Sequence, residues 1–282
     1  MTITLENAVN MWMVGRSKTT AEAYHYYLKD LDSMARGTLK KALLEVDDVE
    51  LVQLFGVWGQ TLKPSTMHTR TFMIRSFFAY ALKKGWVEKN PAKDLRPPKF
   101  ESTLSQRILS HEQVQTLIDS ADCTRDRLII RSLYYGALRV SELCYLRKRD
   151  IQQKGENWTL QVWGKGQRTE YVRIPDELGQ ALAAWSSTKK AEDFLFTALS
   201  GGITKITRTG VLQVIRRTAL RAGLPKVTPH WLRHAHATVA LSRGASIHLV
   251  QKSLRHRSIE TTLIYDHLNP TDSSSLILPG LD

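Results

Sequence analysis

His230 and Arg233 stand three residues apart in the segment Thr228-Pro-His-Trp-Leu-Arg-His. Threonine caps helices and proline suits a first turn, so a helix is predicted to begin here. Residues three apart share a helical face, and Leu232, Ala235 and Val239 are expected to form a separate, apolar stripe. An imidazole and a guanidinium projecting together near a helix N-terminus suit an anion such as a phosphate. Arg139 lies in Tyr134-Tyr-Gly-Ala-Leu-Arg-Val-Ser-Glu-Leu, where one helix is expected to stop at Gly136 and another to start near Ser141. Its forked donors could meet an anion at that junction, and Glu142 is near enough to hold a basic neighbour. Lys165 sits between Gly164 and Gly166 at a predicted turn, a sound place for a mobile proton donor. Tyr265 closes a run that begins at His256, with Ser258 as the expected helix cap. It reads either as ordinary packing or as a nucleophile beside a histidine. Each piece alone is commonplace, and an isolated H-x-x-R is more often a solvated polar face. A metal site is not expected: His230 and His234 are four apart with His236 nearby, but the glutamate of H-E-x-x-H and a clear third ligand are missing.

The elements that must hold these side chains are mostly helical. Tyr24, Tyr27, Leu28 and Leu31 recur at spacings of three and four. Pro64-Ser-Thr predicts a second helix, capped by Ser65 or Thr66, running through Met73, Phe77, Tyr80 and Ala81 and stopping near Gly85. Periodicity breaks at Asn90-Pro91 and again at Arg96-Pro-Pro-Lys. Ser110 with Gln113 three residues later is a capping box, and Asp126 to Tyr135 is a further apolar helix. Trp158, Leu160 and Val162 alternate with polar residues, and Tyr171-Val-Arg-Ile follows the Gly-Lys-Gly turn. That is one β-hairpin. The fold class expected is mainly α with a small antiparallel β-sheet: a helical N-terminal domain over residues 1–95, a linker at 96–106, and a mostly helical mixed α/β domain over 107–282 with a tail at 271–282.

Composition sets the class of partner. The 282 residues are 42% hydrophobic, enough for a core in each half, and carry a formal charge of +13. Such a balance attracts polyanions and favours nucleic acid over small neutral ligands. The excess is uneven, about +4 in residues 1–103 and +9 in 104–282. Two cysteines, Cys123 and Cys144, are too few for a disulfide framework or a cysteine-rich zinc site. No apolar run approaches the roughly 20 residues that cross a bilayer, and no secretory pattern opens the sequence. A reduced, cytoplasmic location without a membrane is expected.

Together and in order, these pieces resemble the tyrosine recombinases, or phage integrases, and are most like the compact Xer-like members. G-A-L-R-V-S-E-L, G-K-G, T-P-H-x-L-R-H and L-x-H-x-S-I-x-T-T-x-x-Y-x-H each resemble a family box. In the N-terminal half, Pro64-Ser-Thr, Arg75-Ser-Phe-Phe-x-Tyr-Ala and the later Asn90-Pro-Ala resemble the family's core-binding domain. Two departures stand out. The family usually has Leu-Gly-His where this chain has Leu254-Arg255-His256, and Gln167-Arg-Thr-Glu intervenes after Gly-Lys-Gly.

The resemblance implies a catalytic set of Arg139, Lys165, His230, Arg233, His256 and Tyr265. Tyr265 would attack a backbone phosphate of double-stranded DNA, leaving a 3′-phosphotyrosyl bond and a free 5′-hydroxyl. Arg139 and Arg233 would clamp the phosphate oxygens and His256 would add a donor. His230 would position or deprotonate the tyrosine, Lys165 would protonate the leaving oxygen, and Glu142 would orient a catalytic partner. No metal or other cofactor is implied. Lys205, Arg208, Arg216 and Arg217 are candidate groove or backbone contacts, and Arg255 and Arg257 candidate phosphate contacts. The resemblance also implies a homotetramer on paired sites, with the tail's Leu276-Ile-Leu278 passed to a neighbouring subunit. Rival readings are a catalytically inactive DNA-binding regulator, a type IB topoisomerase-like enzyme or telomere resolvase, and a metal-dependent hydrolase.

Overall fold

The computed structural model describes residues 3–100, 108–163, 169–198, 203–224 and 226–265. The turn that carries Lys165 and the tail 271–282 lie outside the described residues. The chain divides into two units, Met1–Ser102 and Thr103–Asp282, each with a core of its own.

Unit 1 is built from helices α1 (Leu5–Met13), α2 (Lys18–Thr38), α3 (Asp48–Thr61) and α4 (Pro64–Lys83). Their first turns are closed by short polar side chains. Thr4 accepts from the Asn7 N–H, Ser17 from the Thr20 N–H, and Asp47 and Glu50 form a reciprocal capping box. Helix α4 starts differently from expectation: the cap position is Lys63, not Ser65 or Thr66, and it makes no side-chain cap bond. Pro64 supplies the first helical residue instead, pre-set in φ and without an N–H to satisfy. Leu28 and Leu31 of α2 are buried with Leu51, Leu54, Phe77 and Phe78, while Tyr24 and Tyr27 pack half-buried against them.

Among the described residues of this unit, Arg70 is a buried charge. The Arg70 guanidinium lies 4.3 Å from the centroids of both the Tyr27 and Trp58 rings, and its Nη1 donates to Asp30 Oδ2 at 3.2 Å. Its side chain is only 7% exposed, and Nε has no hydrogen-bond partner among the described residues. The two ring faces therefore stand in for lost water. Arg70→Ala is expected to lower stability by about 3 kcal/mol, from two desolvated ring contacts and a cavity. Arg70→Lys should recover less than half of that, because an ammonium does not stack as a planar group. Thermal and urea denaturation check this; a loss below about 1 kcal/mol in the alanine variant would mean that the ring contacts add nothing.

Unit 2 contains α5 (His111–Asp119), α6 (Thr124–Tyr135), α7 (Val140–Tyr145), strands β1 (Ile151–Lys154), β2 (Asn157–Trp163) and β3 (Thr169–Ile174), then α8 (Asp176–Trp185), α9 (Arg208–Arg221), α10 (Pro229–Ser242), α11 (Ile247–Leu254) and α12 (Glu260–Leu263). The Ser110–Gln113 capping box opens α5. The sheet is antiparallel in the order β1-β2-β3, with Leu160 opposite both Ile151 and Val172. Its first strand was not anticipated, because Ile151-Gln-Gln-Lys has no alternation; Gly155, at φ +60°, makes the turn that folds it onto β2. Leu160, Val162, Val172 and Ile174 face the core. Helix α8 lies so close to β2 that a Cβ at Gly179 would fall 2.1 Å from the Trp158 side chain, so only glycine fits. A smaller apolar cluster gathers Ala137, Ala237, Leu241, Val250, Leu254 and Tyr265. Helix α10 contributes to both clusters. Among the described residues no helix is long and apolar enough to cross a membrane.

Candidate active site

Helix α10 begins as expected, with Thr228 at the cap and Pro229 at the first position, although the Thr228 side chain makes no cap bond. His230 is exposed at its solvent edge. Desolvation on its inner side, then Arg233 and Arg139, lower its pKa. Arg233, expected on a face away from the apolar stripe, is buried, at 4% exposure. Its two terminal nitrogens donate to the backbone carbonyls of Ala137 and Leu254. The chain before α7 and the end of α11 cover this side of α10, and Arg233 satisfies carbonyls from both. Burial, with Arg255 and Arg139 nearby, lowers its pKa to about 9. It remains a cation at neutral pH, poor in counter-charge. Val239, expected in the buried stripe, is only half-buried.

Arg139 occupies the cap of α7, one residue before the first helical position. Glu142 reaches back to it twice, accepting from the Arg139 N–H at 2.8 Å and from Nη1 at 2.7 Å. Burial pushes the Glu142 carboxyl pKa up, but Arg255 and Arg139 outweigh it and hold the group below the usual carboxylate range. The other Arg139 nitrogen, Nη2, donates to the Arg255 carbonyl at 3.1 Å.

Arg255 corrects a second expectation. Its backbone keeps a left-handed conformation, φ +54° and ψ +44°, so the turn that suits glycine is retained. The side chain points inward, 5% exposed, and pairs with Glu142 at 2.6 Å. It is therefore turned away from the solvent in which it was expected to meet a phosphate. His256 follows, its Nδ1 3.0 Å from the Thr262 hydroxyl. Desolvation and the surrounding arginines lower its pKa to about 4, so the ring is neutral at pH 7.

Tyr265 is 2% exposed. Its hydroxyl lies 2.6 Å from His234 Nδ1. Burial raises the phenol pKa, and Arg233 partly offsets this. The histidine against the tyrosine is thus His234, not His230, whose ring centroid is 6.2 Å from that of His234. The signal was present, since His234 lies one turn after His230, but the sequence reading weighed it only as a metal ligand. Among the described residues no group of three or more His, Cys, Asp or Glu could hold a metal ion. The expected cap at Ser258 is also displaced: Ile259 is the cap position of α12, a single turn, and Ser258 Oγ accepts from the Glu260 N–H at 3.2 Å.

Arg139, Glu170, Arg255, His256, Arg257, Ser258 and Thr261 line an open cavity of about 280 Å³. Counting Glu142 behind the lining, three guanidiniums (Arg139, Arg255, Arg257) meet two carboxylates (Glu142, Glu170), an excess of one positive charge. Of the other candidates, Lys205 lies over the Tyr145 ring at 3.6 Å, and Arg208 and Arg216 are exposed. Arg217 pairs with Asp126 at 2.9 Å and Asp122 at 3.5 Å. Arg257 is exposed at the cavity rim.

Residues 107–272 match the phage integrase family. Tyrosine recombinase XerC of Corynebacterium efficiens is 31% identical over 271 residues, spanning 91% of this chain and 83% of its own. Two solved structures share the fold. XerH site-specific recombinase bound to difH substrate in a pre-cleavage complex has a TM-score of 0.69 at 23% identity, covering 89% of this chain and 75% of that one. A lambda integrase tetramer bound to a Holliday junction has a TM-score of 0.70 at 18% identity, covering 91% and 78%. The chain belongs to the phage integrase family of tyrosine recombinases and is Xer-like. Site-specific recombination is the activity of that family.

Proposed function

We propose that this chain is a site-specific DNA recombinase that cuts and rejoins strands through Tyr265. The observation that carries the reading is the Tyr265–His234 pair, whose phenol feels the charge of the buried Arg233 in a chain of this family. Arg139 and Arg233 hold the non-bridging oxygens of the scissile phosphate, where the transition state gathers charge. His234 takes the phenol proton; neutral imidazole is the form that can. Tyr265 Oη bonds to phosphorus and the 5′-oxygen leaves, taking its proton from Lys165. His256 donates an N–H to the phosphate, and His230 stands at the solvent edge of the same helix. The phosphotyrosyl bond conserves the energy of the phosphodiester, so rejoining is the reverse of the same steps. Tetramer formation on paired duplexes, with exchange of the tail, belongs to this reading.

The target sequence is found and the chemistry tested together. A pool of duplexes with random arms and a nick near the centre is incubated with the protein in chelator. Nicking lets the short product diffuse away and traps the covalent species. Denaturing recovery should yield DNA linked to the peptide that contains Tyr265. Specific DNA recovered without any covalent species would support the DNA-binding regulator instead.

A further inference from the structure

Arg255 stands where the family resemblance leads to glycine, and it keeps a glycine-like backbone at φ +54°, a conformation that disfavours any side chain. What offsets that cost is the set of bonds its side chain makes. Nη2 donates to Glu142 Oε2 at 2.6 Å and to the Ala137 carbonyl at 2.9 Å. Nη1 donates to the Ser253 carbonyl at 2.8 Å. Glu142 is thereby shared, with Oε1 on Arg139 Nη1 and Oε2 on both the Arg139 N–H and Arg255. The second Arg139 nitrogen, Nη2, is held by Arg255's own carbonyl. A closed ring of bonds results, in which the attitude of Arg139 is set from two sides by one residue.

The last free edge of Arg255 has a partner of opposite charge. Its Nε and Glu170 Oε2 are buried, have no hydrogen-bond partner among the described residues, and lie 3.6 Å apart. That is an ion pair just beyond hydrogen-bond length. Glu170 ends the Gln167-Arg-Thr-Glu stretch, so the two departures from the family pattern adjoin in space.

We propose that Arg255 is a positioning residue: through Glu142 and its own carbonyl it fixes the Arg139 guanidinium toward the scissile phosphate, with Glu170 as its counter-charge. The inference rests on the reading of Arg139 as part of a phosphate clamp. A carboxylate bridging two guanidiniums cannot rotate without breaking bonds to both. With the Arg255 side chain gone, Arg139 Nη2 keeps the residue-255 carbonyl, but Glu142 loses its second guanidinium and the Glu142–Arg139 pair gains freedom to swing; misplacement of a clamp by about 1 Å costs on the order of 100-fold in rate.

Arg255→Gly is the informative substitution, since it restores the residue best suited to the backbone. The full chain is tested on the duplex recovered above, with single-turnover adduct formation and half-site binding measured separately. Adduct formation is expected to fall about 10- to 100-fold while the dissociation constant changes by less than about threefold, because the buried side chain is not counted among the phosphate contacts. Arg255→Gly combined with Glu142→Gln should be no worse than the worse single variant, as expected for residues acting as one unit. A second readout is independent of cleavage: hindered rotation of the Arg139 guanidinium in nitrogen NMR, assigned with Arg139→Ala, should be lost in Arg255→Gly. Arg255→Lys, which keeps the charge but not the fork, should show the same losses and carries the test if the glycine variant does not fold. A wild-type cleavage rate in either variant, or unchanged rotation of Arg139, overturns the proposal. If the wild-type protein forms no adduct on any duplex, the recombinase reading fails, and the rotation measurement alone decides the role of Arg255.

Discussion

Tyr265→Phe should bind DNA as the parent does and form no covalent adduct, a fall of roughly four orders of magnitude or more, as expected when a nucleophile is removed. The phenyl ring keeps its place among Ala137, Ala237, Leu241, Val250 and Leu254, so the local packing is preserved. Only the hydroxyl and its bond to His234 are lost, which costs about 1 kcal/mol in a half-buried setting. The variant should therefore melt within a few degrees of the parent and shift the same half-site in a gel. Covalent DNA surviving in this variant would remove Tyr265 from the mechanism, whatever the status of the arginines.

Arg233→Ala should damage both rate and stability. The guanidinium is buried, cationic at neutral pH and bonded to the carbonyls of Ala137 and Leu254. Loss of one preorganised donor to a developing oxyanion costs about 100- to 1,000-fold, and a charged fork should cost no less. The Leu254 carbonyl also loses its donor, while the Ala137 carbonyl keeps Arg255 Nη2, with an expected penalty of about 1–3 kcal/mol. DNA should protect the parent more than the variant against heat, because a phosphate supplies the counter-charge that Arg233 lacks in the free protein. Single-turnover cleavage and melting with and without the duplex measure these effects. Cleavage within about tenfold of the parent would place the clamp elsewhere.

The sequence disclosed most of what is local and less of what depends on distant segments. Helix starts at Ser110 and Pro229 and the β2–β3 pairing follow from capping chemistry and alternation, which neighbouring residues determine. The burial of Arg233 does not, because its cover comes from Ala137 and Leu254, about 96 and 21 positions away. Helical phase alone put Arg233 on a face away from the apolar stripe. The partner of Tyr265 is similarly nonlocal: whether His230 or His234 meets the phenol depends on how residues 256–265 fold back on α10. Arg255 was misread for a related reason. A basic residue on a turn ordinarily faces solvent, and the buried Glu142, with the Ala137 and Ser253 carbonyls, draws this one inward. Strand β1 escaped notice because Ile151-Gln-Gln-Lys shows no period of two.

The seclusion of Tyr265 bears on how safely a recombinase of the kind proposed could dwell on DNA. If Tyr265 is the nucleophile, as proposed, then at 2% exposure it would not reach a phosphate on a duplex lying outside, and a cut would have to wait for Tyr265 to become exposed. If the closed form outweighs the open one by about 2.7 kcal/mol, the nucleophile is out for roughly one part in a hundred of the time. Chance encounters with unrelated sequence, which are brief, then mostly end before any strand is broken. A long-lived assembly on the proper site samples the open form many times over. Waiting time, rather than contact with bases alone, becomes a filter between the two.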